Sequence, residues 1–185
     1  MPSSEERKKL LKLARESIES CFSDSKVNID PEIKKKFSVE QGVFVTLKKH
    51  GELRGCIGFP EPVFPLYDAI MKAAEAAAFE DPRFIPVSKE EMNEIIIEIS
   101  ILSIPALIEV NNPDDYFKEI EVGRDGLIVK YRGFSGLLLP QVAPEQRWNA
   151  VQFLEGTCEK AGVPKNSWRN PRCEIYKFQG EIFSE

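Results

Sequence analysis

The sequence predicts an α+β fold: two ββαβ structural repeats forming an antiparallel sheet with flanking helices, plus an N-terminal helix. Three observations predict it. From Gly42 the chain reads "GVFVTLKKHGELRGCIG", and from Gly126 it reads "GLIVKYRGFSGLLLP". Each is an apolar run, a glycine turn and a second apolar run, which is a hairpin pattern. A helical stretch follows each hairpin, and a strand-like segment follows each helix, "EIIIEISILS" at 94–103 and "CEIYKFQGEIF" at 173–183. The order recurs at an offset of roughly 80 residues, giving repeats at about 42–103 and 126–183. Short hairpins make antiparallel pairs.

The elements follow in order. Ser3 can cap the first helix with Glu6 three residues on, as in a capping box. Leu10, Leu11, Ala14, Ile18, Cys21 and Phe22 keep helical spacing, so Cys21 is expected in the core. Residues 23–41 are polar and read as a loop with one short helix after Pro31. The helix after the first hairpin, about 65–79, carries Leu66, Ile70, Ala73, Ala74 and Ala77 on one stripe and stops before Pro82. Asn112-Pro113 is a helix start in the segment 104–125. The second helix, about 144–161, places Trp148, Val151, Leu154, Cys158 and Ala161 on one stripe. Pro144 suits its first turn and Gly162 its C-terminal cap.

Composition narrows the function classes. The 185 residues suit one domain with room for two lobes. A charged fraction of 30% suits a solvated surface, and a net charge of −5 gives no general attraction to nucleic acid. "MPSSEERKKLLKLARES" lacks the apolar run of a signal peptide, and no stretch approaches the ~20 apolar residues of a membrane span, so a cytoplasmic location is expected. Cys21, Cys56, Cys158 and Cys173 form no CxxC pair, and His50 is the only histidine. That scatter disfavours a zinc site and predicts free thiols. No phosphate-binding glycine loop and no GxSxG stands in the chain.

"ELRGCIGFP" at 52–60 is the densest candidate. With a loop His50-Gly51-Glu52, Thr46 pairs with Cys56, Val45 with Ile57 and Lys48 with Arg54. Val43, Val45, Leu47, Leu53, Ile57 and Phe59 then fall on one, apolar face, and Phe44, Thr46, Lys48, Arg54, Cys56 and Gly58 on the other. Cys56 has two readings. A neighbouring cation favours a thiolate and makes Cys56 a candidate catalytic nucleophile; equally, a free cysteine packs as a small hydrophobe, and Gly55 and Gly58 allow another backbone to approach. His50 lies about five strand residues from Cys56, more than ~15 Å, which excludes a Cys–His dyad within the chain. Glu98 and Ser100 alternate with isoleucines and are either simply solvent-exposed or share the Arg54 face. Asp81 and Arg83 either pair at the helix stop or line a cleft. Gln141 and Glu145 sit near a helix N-terminus, where acceptors and anions are favoured.

These residues resemble the AMMECR-one domain family over about residues 10–183. "LRGCIGF" at Leu53–Phe59 looks like the family's signature, supported in order by "GVFVTLKK", "AAFEDPRFIP", "GLIVKY", "LLLPQVAPEQRW" and "FLEGTCEKAG". The resemblance implies a cleft lined by Arg54, Gly55, Cys56 and Gly58, by Asp81, Arg83 and Phe84, and by Gln141, Glu145 and Trp148. Position 141 is glutamate in some relatives. The resemblance implies no settled activity and no cofactor, and it links microbial members to Memo-like and radical-SAM proteins in a shared modification pathway. The expected partner is therefore a protein or a small molecule; a non-catalytic binding module for a protein or nucleic-acid partner is the alternative to thiol chemistry, the net charge disfavouring the nucleic acid, and self-association as a homodimer stays open.

Overall fold

A computed structural model describes residues 2–23 and 25–185; Asp24, within the expected 23–41 loop, lies outside the described residues. The chain divides into two compact units, Met1–Leu102 with Glu181–Glu185, and Ser103–Gly180.

In the first unit, helix α1 (Ser4–Ser20) starts in a reciprocal capping box: Glu6 N–H donates to Ser3 Oγ at 3.3 Å, and Ser3 N–H to Glu6 Oε2 at 2.8 Å. Leu10, Leu11, Leu13, Ala14 and Ile18 fill its buried stripe. Cys21 departs from expectation. The helix ends at Ser20, so Cys21 sits at its C-cap and is exposed, outside the core. Helix α2 (Pro31–Lys36) follows, with Asp30 accepting from Glu32 N–H. Strands β1 (Val43–Lys49), β2 (Glu52–Phe59) and β3 (Ile95–Leu102) are antiparallel, with β1 between the other two. Val43, Val45 and Leu47 alternate with half-buried Phe44, Thr46 and Lys48, and the buried set packs with helix α3 (Leu66–Phe79). Ile95, Ile97, Ile99 and Ile101 extend that core. The last five residues also belong here: Glu185 N–H donates to Ile97 O, Ile97 N–H to Glu185 Oε2, and Arg15 Nε to Glu185 Oε1 at 2.7 Å.

The second unit carries β4 (Ala106–Leu107), a 3-10 turn Pro113–Asp115 leading into α4 (Tyr116–Glu119), β5 (Asp125–Tyr131), β6 (Phe134–Leu138), α5 (Val142–Glu145), α6 (Ala150–Lys160), a 3-10 turn Lys165–Arg169 and most of β7 (Glu174–Ser184). β5 lies between β6 and β7, and β4 pairs with the other edge of β7, all antiparallel. The expected single helix over 144–161 is two. Arg147 takes a φ of 55°, and Asn149 caps α6 through a second capping box with Gln152. An asparagine side chain that satisfies the free N–H groups of a new helix start competes with continuing the old one. Trp148 therefore leaves the helical stripe and sits in the connection.

Hairpin, helix and strand recur in both units, and the turns match closely. His50-Gly51 have φ of 53° and 83°, and Arg132-Gly133 have 53° and 84°. Two residues with positive φ make the hairpin turn whose twist suits the flanking strands. Among the described residues no helix is long and apolar enough to cross a membrane.

Candidate functional site: an inserted arginine on an outer strand

In the second hairpin the register runs without irregularity: Tyr131 opposite Phe134, Lys130 opposite Ser135, Val129 opposite Gly136. In the first, Lys49 faces Glu52 and Lys48 faces Leu53, and then the register shifts so that Leu47 faces Gly55. Arg54 is the extra residue, a β-bulge that the second hairpin lacks. Gly55 and Gly136 play one part in the two units. A Cβ at Gly55 would collide with Ala77 O at the end of α3, and one at Gly136 with the backbone of Ala161 after α6. Each glycine lets a helix end touch the second hairpin strand.

The bulge corrects the expected faces. Thr46 still pairs with Cys56 and Val45 with Ile57, but the turn has two residues instead of three, and Lys48 pairs with Leu53 instead of Arg54. Leu53 is exposed. Arg54 instead reaches Glu91, through Nε at 3.2 Å and Nη2 at 2.9 Å, and Lys49 Nζ meets the same carboxylate at 3.2 Å. Lys49 alternates with Leu47 and Val45, so Arg54 lies toward the helix-covered face. Cys56 stands on the opposite face, where Thr46 Oγ1 lies 3.3 Å from its sulfur. The expectation that Arg54 and Cys56 share a face fails because one inserted residue reverses the alternation. Glu98, opposite Thr46 and bound to Lys48 at 2.8 Å, accordingly shares the Cys56 face and not that of Arg54; Ser100, opposite Phe44, goes with it.

The segment after α3 wraps the free edge of β2. Asp81 accepts from Cys56 N–H at 2.9 Å, and Arg83 Nη2 donates to Cys56 O at 3.3 Å. Arg83 also grips Asp81 through Nε at 3.0 Å and Nη2 at 2.7 Å. Two side chains thus occupy the backbone groups that an added strand would use. Phe84 lies between the guanidinium groups, with its ring centroid 5.9 Å from Arg54 Cζ and 5.4 Å from Arg83 Cζ, within cation–π range. Gly58 is close-packed, since a Cβ there would collide with Val43 O and the Phe44 ring.

The electrostatics follow from these contacts. The Arg83 guanidinium holds Asp81, whose side chain is 2% exposed, far below the usual carboxylate range. Arg54 lowers Glu91 to about 2, with Ser88 N–H and Lys49 assisting. Both carboxylates are fixed as anions and are poor proton acceptors. Arg54 has a donor to spare: its side chain is 12% exposed, and Nη1 is buried without a hydrogen-bond partner. Sequence reasoning missed Glu91. Its signal was Ser88 three residues earlier, and the two do exchange backbone-to-side-chain hydrogen bonds at the start of the 3-10 turn Glu90–Glu94.

Arg54, Gly55, Cys56, Gly58, Asp81, Arg83 and Phe84 therefore come together in the first unit. Gln141, Glu145 and Trp148 belong to the second. Gln141 precedes α5 and its carbonyl accepts from Glu145 N–H at 3.1 Å, while a Cβ at Gly156 would collide with the Trp148 ring. His50 pairs with Glu94 at the hairpin turn. Among the described residues no three His, Cys, Asp or Glu side chains cluster as metal ligands.

Comparison with known proteins accords with this architecture. The AMMECR1 family pattern matches residues 11–183. A protein of Methanothermobacter thermautotrophicus is 48% identical over 184 residues, covering 99% of this chain and 96% of that one. One of Nanoarchaeum equitans is 43% identical, covering 95% and 98%. The crystal structure of an uncharacterized protein from Pyrococcus horikoshii superimposes with a TM-score of 0.82 at 44% identity, covering 95% of this chain and 89% of that one. With an α+β antiparallel fold and a family match over nearly its whole length, the chain belongs to the AMMECR1 family.

Proposed function

We propose that this protein is a binding module that takes an anionic group, a carboxylate or phosphate on a protein or small-molecule partner, at the surface formed by β2 and residues 80–91. The observation that carries this reading is the buried, unpartnered Nη1 of Arg54. A charged donor left unsatisfied costs roughly 1–3 kcal/mol or more, so its retention calls for a partner outside the chain. A guanidinium already fixed by two bonds to Glu91 presents its remaining edge in a set orientation, suited to oxyanions. Arg83, 53% exposed, supplies a second cation beside Phe84. Because Nη1 lies below the surface, binding is accompanied by a shift of the 81–91 segment.

Binding is preferred over thiol catalysis because Asp81 and Glu91 are spent on arginines, and Cys56 faces Thr46, not the Arg54 cation. Memo-like and radical-SAM proteins are the partner classes that the family resemblance suggests, and co-purification addresses them directly. The chemical test uses inorganic phosphate at constant ionic strength. Phosphate raises the Tm of the native protein, and Arg54→Gln, folded by circular dichroism, loses that rise. Equal phosphate effects on both proteins refute the assignment.

A further inference from the structure

We propose that the second unit carries a separate ligand site, for a small molecule that joins a phosphate monoester to a flat ring, as a mononucleotide does. The site is a cavity of about 580 Å³ between the β5–β6 turn and the loop after α6, within the roughly 300–1,000 Å³ of small-ligand sites. Arg132, Phe134, Arg169 and Asn170 are among the residues that line it. No aspartate or glutamate is among them, in a chain of net charge −5. A neighbouring cavity of about 660 Å³ shares the wall Arg169-Asn170-Pro171 but carries Glu109 and Glu174. The sign of the local charge separates the two, favouring an anion in the first and disfavouring it in the second.

Both walls are fixed by the chain itself. Arg132-Gly133 make the tight hairpin turn. Opposite it in the chain order, Gly162 closes α6 with a φ of 75°, Ser167 N–H donates to Pro164 O, and Asn170 N–H donates to Ser167 O, each bond 2.9 Å long. The two guanidinium groups rest on aromatic rings: Arg132 Cζ lies 5.1 Å from the Tyr131 centroid, and Arg169 Cζ lies 4.2 Å from that of Trp168. Among the described residues no carboxylate pairs with Arg132. Arg169 engages Asp114 through Nη1 alone, at 3.3 Å in an exposed pair of little strength. Asn170 Oδ1 accepts from Arg172 N–H at 3.0 Å, which leaves the Asn170 amide group to donate. Two planar forks and an amide suit a doubly charged group with three terminal oxygens; a carboxylate would use only part of them. The ring is called for by Phe134, which is 57% exposed in the same cavity and offers a face for stacking. Arg132 and Arg169 are exposed, so solvent and salt weaken their hold on phosphate alone, and ring and phosphate are needed together. That requirement separates this site from the one at Arg54, on which it does not depend.

The test titrates the full chain with adenosine monophosphate at constant ionic strength, beside adenosine and inorganic phosphate, and follows the Arg132 and Arg169 guanidinium and Phe134 ring resonances by NMR. The expected result is one saturable step with the nucleotide, and midpoints at least about tenfold higher with either half of it. Arg132→Asn removes the charge while keeping a residue that tolerates the positive φ of the turn, and Phe134→Ala removes the stacking face. Each should raise the nucleotide midpoint about tenfold. Arg132 and Arg169 resonances unmoved at millimolar nucleotide, a midpoint for inorganic phosphate equal to that for the nucleotide, or native midpoints in both variants would overturn the proposal. So would a single-stranded oligonucleotide that saturates these resonances at a lower concentration than the mononucleotide, since the ligand would then be nucleic acid. The three titrations of the native chain decide the matter even if a variant fails to fold.

Discussion

Arg54, Glu91 and Gly55 hold the argument at the scale of single residues. Glu91 is ionised in the native state down to about pH 2, whereas a free glutamate protonates near its ordinary value of 4.5. Between those values the unfolded chain binds more protons than the folded one, so acid favours unfolding. The stabilisation from Glu91 is present above about pH 5 and is lost as pH falls toward 2; Asp81 acts in the same direction and its loss extends lower. Denaturant melts at a series of pH values should show Glu91→Gln less stable than the native protein at pH 7 and falling less steeply between pH 5 and 2. Equal slopes would remove Glu91 from the account. Gly55→Ala forces a methyl against Ala77 O. Both atoms belong to backbone regions fixed by neighbours, so the substitution should cost about 1–3 kcal/mol in urea unfolding. Sequence made Gly55 visible as a close-approach glycine, but it could not name Ala77 as the group approached.

At the scale of elements, the hairpins show what periodicity reveals and what it hides. Alternation marked Val43, Val45 and Leu47 as core, and a glycine turn marked both hairpins. The bulge was hidden because an apolar–polar pattern carries no sign of one inserted residue until the partner strand is known. Comparing the two hairpins makes it legible in retrospect: Gly51 to Gly55 is one residue longer than Gly133 to Gly136. Deleting Arg54 should therefore restore an uninterrupted register. The variant is expected to keep Leu47 opposite Gly55 in cross-strand nuclear Overhauser contacts, and to lose the phosphate effect on Tm. The break between α5 and α6 was hidden for a different reason. Pro144 and the apolar stripe favoured one helix, while Asn149 offered a better start for a second. Asn149→Ala should destabilise the protein by about 1 kcal/mol, the ordinary cost of a lost N-cap, with no change in β1 and β2.

At the scale of the whole molecule, fold class and family were legible because hairpin, helix and strand recur in order and because the matching strings span the chain. The return of the C-terminus was not. Nothing in "GEIFSE" announces that Glu185 binds Arg15 and the backbone of Ile97, or that Phe183 is buried with the first unit's core. Truncation after Gly180 should raise amide exchange in α1 and β3 first, and uniform acceleration over the chain would contradict the assignment of Glu181–Glu185 to that unit. The candidate surface was half legible. The signature residues and the Asp81–Arg83–Phe84 segment do converge, but Arg54 belongs to a cluster with Glu91 instead of a pair with Cys56. The claim that this arginine awaits an anion is tested most directly by guanidinium NMR during a phosphate titration at constant ionic strength. The account predicts saturable shifts of the Arg54 Nη resonances, ahead of those of Arg7 or Arg124. Unmoved Arg54 resonances at saturating phosphate, or shifts shared equally by every arginine, would contradict it.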